Sequence, residues 1–493
     1  MLFPTLDFAL FFVIVFLVAW ELRRDMDARK LVLVLASYFF YGYWDMRFTL
    51  LLAGSSLLNY AAGRAIGGLN DGVTRKWVLG VAVVLNLGVL AFFKYYGFFL
   101  GSLADILTGL GIERDLPFLE VILPVGISFF TFQGISYLVD VYRRHVEASR
   151  SVLDIFLYIS FFPQLVAGPI VRAAHFLPQL ERTPHVNRRM ASLAVVLILV
   201  GLFKKMVIAN YLATELVDHV FFDPTAFGGG DLLLGVYGYA VQIYCDFSAY
   251  SDIAIGVAAL LGYRFPRNFD HPYRASSLQE FWRRWHISLS TWLRDYLYIP
   301  LGGSRGSTFQ TYRNLFLTMF LGGIWHGAAW TFVFWGAFHG AMLGIERALT
   351  RRWEAFAGNG NGNGYGGGVL GALMGVGRMI QGSIGTLLGI VLTFHLVCFA
   401  WIFFRAPTFS GAWSYLGGLF DWSQPAQFAS PFIVGLIGLS LAAQFLPSGW
   451  AIGAGRLLRR APWPTWGLLL GFGILAIEAM APEGTAPFIY FQF

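Results

Sequence analysis

A chain of 493 residues that is 57% hydrophobic and only 13% charged is not built as a water-soluble domain, in which about a quarter of the residues carry charge. Its net charge of +7 does not point to nucleic acid, because the basic residues form small clusters between apolar runs, as cytoplasmic loops of membrane proteins do. Cys245 and Cys398, its two cysteines, both fall in apolar segments and read as packing residues rather than a disulfide or metal pair.

Apolar runs at about 8–21, 31–44, 48–62, 77–99, 119–139, 151–170, 191–209, 232–262, 312–348, 382–404, 431–446 and 464–481 predict roughly ten to twelve helices, an all-α polytopic membrane protein. The start, Met1-Leu2-Phe3-Pro4, lacks a basic n-region and a small-residue cleavage site, so the first run reads as a retained helix. The basic stretches from Arg23 to Lys30, Arg64 to Lys76, Arg143 to Arg144, Arg172 to Arg189 and Arg456 to Arg460 are expected on the cytoplasmic side, which puts both termini outside. Residues 355–368 are Gly/Asn-rich and read as a flexible loop. With no internal repeat, 1–493 reads as one membrane domain ending in an aromatic tail, 487–493.

Residues 278–300 break the pattern, since Glu280, Arg283, Arg284, Arg294 and Asp295 interrupt an aromatic stretch. Such a segment cannot face lipid and must be re-entrant, interfacial or packed inside the protein. His286 lies in it, after Phe281-Trp282-Arg283-Arg284-Trp285, and His326 follows in Gly322-Gly323-Ile324-Trp325-His326-Gly327. An imidazole in hydrocarbon is costly and marks a functional candidate. Kept neutral by burial, it can take the proton of a hydroxyl attacking an acyl carbonyl; a core histidine bonded to a backbone carbonyl is the plainer reading. The glycines around His326 allow a substrate or another backbone to approach closely. His339 lies 13 residues on, about 140° round a continuous helix, and reads as packing or support. His395 has no motif, and His145, His175, His185, His219 and His271 fall in or near loops and read as solvated. Asp246 and Asp252, in apolar surroundings, can pair with Arg283, Arg284 or Arg294 or orient an imidazole, and purely structural pairing is an equally strong reading.

The stretch from Asp246 to Gly340, with RNFDHPYRASSLQEFWRRWHISLSTWLRDYLYIPLGG and FLGGIWHGAAWTFVFWGAFHG, resembles the membrane-bound O-acyltransferases. Within them it is similar to the membrane subunits that acetylate alginate and to their D-alanyl-transferring relatives. Leu123–Phe130 and Phe162–Pro169 extend the likeness. The resemblance implies a helical bundle with re-entrant helices around a central funnel, and a catalytic His326. His286 is then the second histidine of the site, with its role open between orienting, sharing a proton and contacting the donor. It implies acetyl-coenzyme A as donor, met by Arg283, Arg284, Arg294, Trp285 and Asn268. It also implies no metal, a separate periplasmic SGNH-type acetyltransferase as partner and a polysaccharide acceptor. Relatives with a similar Phe-Ile-Tyr ending make Tyr490 a candidate acyl relay; the other reading of the tail is an aromatic anchor at the membrane boundary.

The resulting expectation is an enzyme of the bacterial inner membrane that passes an acyl group, acetyl by preference, from a cytoplasmic donor to an extracytoplasmic polysaccharide such as alginate. Cellulose, peptidoglycan and teichoic acid are alternative acceptors. A secondary transporter is the rival from another class, and the missing repeat counts against it.

Overall fold

The structure, a computed structural model, describes residues 1–112, 119, 121–358, 383–482 and 487–489. Tyr490, the rest of the tail after Ile489 and the Gly/Asn-rich stretch from 359 onward lie outside them. Among the described residues every regular element is helical. Among the described residues five helices are long and apolar enough to cross a membrane: Gly72–Gly109, Arg188–Phe222, Gly229–Leu260, Ile384–Arg405 and Trp463–Met480. The chain forms two compact units, one of residues 1–211, 244–267 and 449–493, the other of 212–243 and 268–448.

In the first unit, helices Leu6–Glu21, Met26–Gly42, Arg47–Gly68, Ile127–Tyr142 and Val152–Ser160 start at polar caps or tight turns. Thr5, Asp25 and Ser151 each accept a backbone N–H of the first turn, satisfying donors that have no intrahelical partner. The span Arg188–Phe222 contains two wide π-turns, at Lys204–Ala209 and Ala213–Val217. The first of these lets consecutive lysines reach one neighbouring helix: Lys204 contacts Asp252 at 2.6 Å, and Lys205 contacts Asp246 at 2.8 Å. Both acids thus pair with lysines of their own unit. This is the structural pairing that the sequence left open, made with lysines because a π-turn displaces side chains from the ordinary 100° spacing.

The second unit is organised by a helical hairpin, Thr308–His326 and Trp330–Gly358. Ser307 and Gln310 close a capping box at its start. The apolar run 312–348 is therefore two helices, broken at Gly327, where the backbone becomes extended (φ −159°). The arms cross backbone to backbone: a Cβ on Gly323 would lie 2.5 Å from the Phe332 oxygen and 2.7 Å from Gly336 Cα. One on Gly336 would lie 2.6 Å from the Met319 oxygen. The glycines near His326 thus admit another backbone.

Candidate active site

Residues 268–298 form short helices, Leu278–Arg284 and Ile287–Leu293, followed by a π-turn, Arg294–Tyr298. Between the two helices His286 takes a left-handed backbone, φ 41° and ψ 56°. In a continuous helix Trp285 and His286 would point about 100° apart. Breaking the helix here buries both, to 1% and 0% exposure. Left-handed φ is uncommon outside glycine, and such strain gathers at functional sites. Trp285 anchors the turn by stacking on Phe281 at 5.6 Å and meeting Trp401 at 5.2 Å.

Asn268 fixes the His286 imidazole. Its Oδ1 accepts the Ser288 backbone N–H at 3.1 Å and the Ser288 hydroxyl at 2.8 Å, and lies 3.2 Å from His286 Nδ1. The backbone N–H can only donate, so the shared Asn268 atom is the amide oxygen. It follows that Nδ1 carries the proton and that the lone pair of the neutral ring is on Nε2. His286 is outside the five spanning helices, and burial pushes its pKa down to about 3, so the neutral form dominates near pH 7.

His326 ends its helix, 3% exposed. Its ring meets Trp325, Trp335 and Phe404 edge-on at 5.0, 4.9 and 5.3 Å. Trp325 is also 6.3 Å from the His286 ring. The two histidines from distant parts of the sequence thus flank one indole. His339, fully buried, lies 4.7 Å from the other side of this cluster, on Trp335. The hairpin places His339 one ring beyond His326, a proximity that counting around a continuous helix does not reveal.

Beside this cluster is a cavity of about 610 Å³ whose wall includes Arg283, Arg294, Arg347, Arg351 and Trp282. Arg283 and Arg294 are sequence candidates. Arg347 and Arg351 were missed; their signal is a four-residue spacing, which puts both on one helix face at the end of the apolar run. Glu346, also on the wall, caps the first short helix through the N–H groups of Leu278 and Gln279, at 2.7 and 3.3 Å. Against the burial that raises it, hydrogen bonds from Ser276 and Arg284 hold Glu280 below the usual carboxylate range. Arg284 binds Glu280 at 2.7 Å. Arg284, Trp285 and Asn268 do not line the cavity; they hold the His286 turn together. His326 is off the wall too: Trp282 meets Trp335 at 5.6 Å, and Trp335 meets His326. His271 is 8% exposed rather than solvated, because its loop is drawn inward by Ile287 N–H to Asn268 O and Asp270 N–H to Arg284 O bonds of 2.8 and 2.9 Å.

The tail runs into the first unit. Ile489 N–H donates to Asp246 at 2.8 Å, and the Phe488 ring lies 4.3 Å from Tyr250. Both tail residues are buried. Among the described residues no group of three or more His, Cys, Asp or Glu could hold a metal ion.

Residues 141–359 match the family model of the membrane-bound O-acyltransferases. The chain is 43% identical over 427 residues to the probable alginate O-acetylase of Pseudomonas aeruginosa, covering 85% of this chain and 75% of that protein. It is 38% identical over 496 residues to the Pseudomonas putida counterpart, covering 94% of each. Against the peptidoglycan O-acetyltransferase of Helicobacter pylori it is 36% identical over 416 residues, 79% of this chain and 73% of that one.

Proposed function

Because the chain belongs to the membrane-bound O-acyltransferase family and is a multi-pass membrane acyltransferase, we propose that it moves an acetyl group from a cytoplasmic donor to an extracytoplasmic polysaccharide, alginate first. The observation that supports this most is the placement of two buried histidines around Trp325, next to an arginine-lined cavity. In this reading the cavity takes acetyl-coenzyme A. Arg283, Arg294, Arg347 and Arg351 meet its phosphates, for which guanidinium groups are well suited. The thioester end reaches Trp282, and the rings of Trp282 and Trp335 part to admit it to His326. His326 takes the proton of the attacking hydroxyl as the new C–O bond forms. The C–S bond then breaks, and the thiolate leaves and is protonated. His286, held by Asn268 through Nδ1, orients the reacting groups or shares that proton.

Only the acyl group need cross, which avoids carrying a charged coenzyme through hydrocarbon. Tyr490 is the proposed hydroxyl of the first transfer, and burial of the preceding Phe488 and Ile489 supports a tail that enters the protein. In this reading the enzyme sits in the inner membrane with both termini outside and works with a periplasmic SGNH-type acetyltransferase. In cells, His326→Ala should abolish acetyl ester on the exported polysaccharide while the protein remains in the membrane; unchanged ester would refute the catalytic role. Tyr490→Phe should do the same, and an acetylated C-terminal peptide in the wild type would identify the relay. The relative that acts on peptidoglycan makes ester analysis of peptidoglycan in the same cells the test of the acceptor.

A further inference from the structure

Three elements of the first unit meet at a small cleft far in sequence from the histidines. The span Arg188–Phe222 begins there, and so does the span Trp463–Met480. Between them in this unit lies the short helix Trp450–Leu458. Val196, Leu458 and Trp466 make their common core. Gly455 lets the short helix sit close, since a Cβ there would be 3.3 Å from the backbone of Leu193. Arg188 is used structurally: it lies over Trp463 and Trp466, 5.3 and 5.7 Å from their ring centres, and donates to the Ala461 carbonyl.

The next residue, Arg189, turns instead into a cleft of about 180 Å³, lined also by Arg456 and Arg459 with Leu193, Ile452 and Gly455. These three arginines are exposed and form no ion pair among the described residues. Arg189 also sits in the first turn of its helix, where the positive end of the helix dipole disfavours a cation unless an anion offsets it. Around the cleft the surface is apolar: Ile452 and Leu457 are 44% and 71% exposed, and on the adjoining span Leu468 and Phe472 are 74% and 75% exposed. Such a span faces lipid, so the cleft at its start lies at headgroup depth.

We propose that the Arg189–Arg456–Arg459 cleft binds the phosphate of an anionic glycerophospholipid, whose acyl chains lie along Trp463–Met480. Three guanidinium groups without carboxylate partners match a phosphodiester, and the exposed apolar side chains supply what a free anion does not need. The site is independent of the acyltransferase chemistry.

The test is native mass spectrometry of the full-length protein released from nanodiscs of phosphatidylethanolamine with either phosphatidylglycerol or phosphatidylcholine. Wild type should retain phosphatidylglycerol selectively. The double variant Arg456→Gln/Arg459→Gln should bind it roughly thirtyfold more weakly, from the usual contribution of each basic residue near an anionic surface. The equal-charge control Arg23→Gln/Arg24→Gln should match wild type. Equal loss in the control would show only diffuse charge attraction and overturn the site. Complete displacement by millimolar inorganic phosphate would overturn the lipid as occupant, and so would retention without preference between the two lipids.

Discussion

The Asn268–His286 pair gives the sharpest test of how the site holds its proton. Asn268→Asp keeps an acceptor for the Ser288 N–H and hydroxyl, at 3.1 and 2.8 Å, but sets a carboxylate 3.2 Å from Nδ1. At an effective dielectric of about 20, unit charges roughly 4 Å apart attract by about 4 kcal/mol, which is about three pKa units. His286, held down to about 3 by burial in the wild type, would then take up its proton at roughly 6. The sign follows from neutral His286 being the working form: activity of the variant should be present above pH 7 and fall as pH drops through about 6. The wild type should show no such limb from this residue. The assay is transfer of labelled acetyl by purified enzyme between pH 5 and 8. A variant profile that superimposes on the wild type at equal activity would refute the role given to neutral His286. The linked effect on stability has the same direction: a histidine depressed to about 3 costs nothing above its unfolded value near 6.5, and stability is lost as pH falls below it.

Arg347→Gln/Arg351→Gln should raise KM for acetyl-coenzyme A about tenfold with kcat nearly unchanged, an effect that shrinks in high salt; a fall in kcat alone would move these residues out of donor binding. Trp282→Ala should raise the butyryl-to-acetyl ratio of kcat/KM about tenfold, since two added methylenes gain room between cavity and His326, and an unchanged ratio would separate that cavity from the acyl path. Gly323→Ala should lower stability by about 1–3 kcal/mol, because the new methyl meets backbone that cannot move aside, as read from the melting temperature. Asp246→Asn should cost about 3–5 kcal/mol by leaving Lys205 buried beside a neutral amide, and adding Lys205→Met should restore most of it; no recovery would mean that the tail bond to Ile489 dominates instead.

Most of the helices were legible because their apolar runs are long; the caps at Thr5, Asp25 and Ser151 that start three of them came only with the structure. His286 and His326 stood out for the same reason: an imidazole among tryptophans has few structural excuses. What periodicity could not show was where a helix stops being regular. Gly327 hides inside one apolar run, so His339 seemed to point away when the chain in fact doubles back. The π-turn at Lys204–Ala209 gives Asp246 and Asp252 lysine partners that no 3.6-residue count selects. His271 looks solvated in a polar stretch, yet two backbone bonds fold that stretch inward. Arg347 and Arg351 carry no motif, and only the short helices opposite make them a cavity wall.

The crossing at Gly323 and Gly336 has a consequence for how such an enzyme can be retuned. Main chain rests on main chain there, so the height of His326 is set by atoms that every amino acid shares. The surrounding rings can be exchanged to suit a longer or bulkier acyl group without lifting or lowering the imidazole. That makes Trp282, Trp335 and Phe404 the natural positions at which to redesign donor preference, and the two glycines the ones to leave alone.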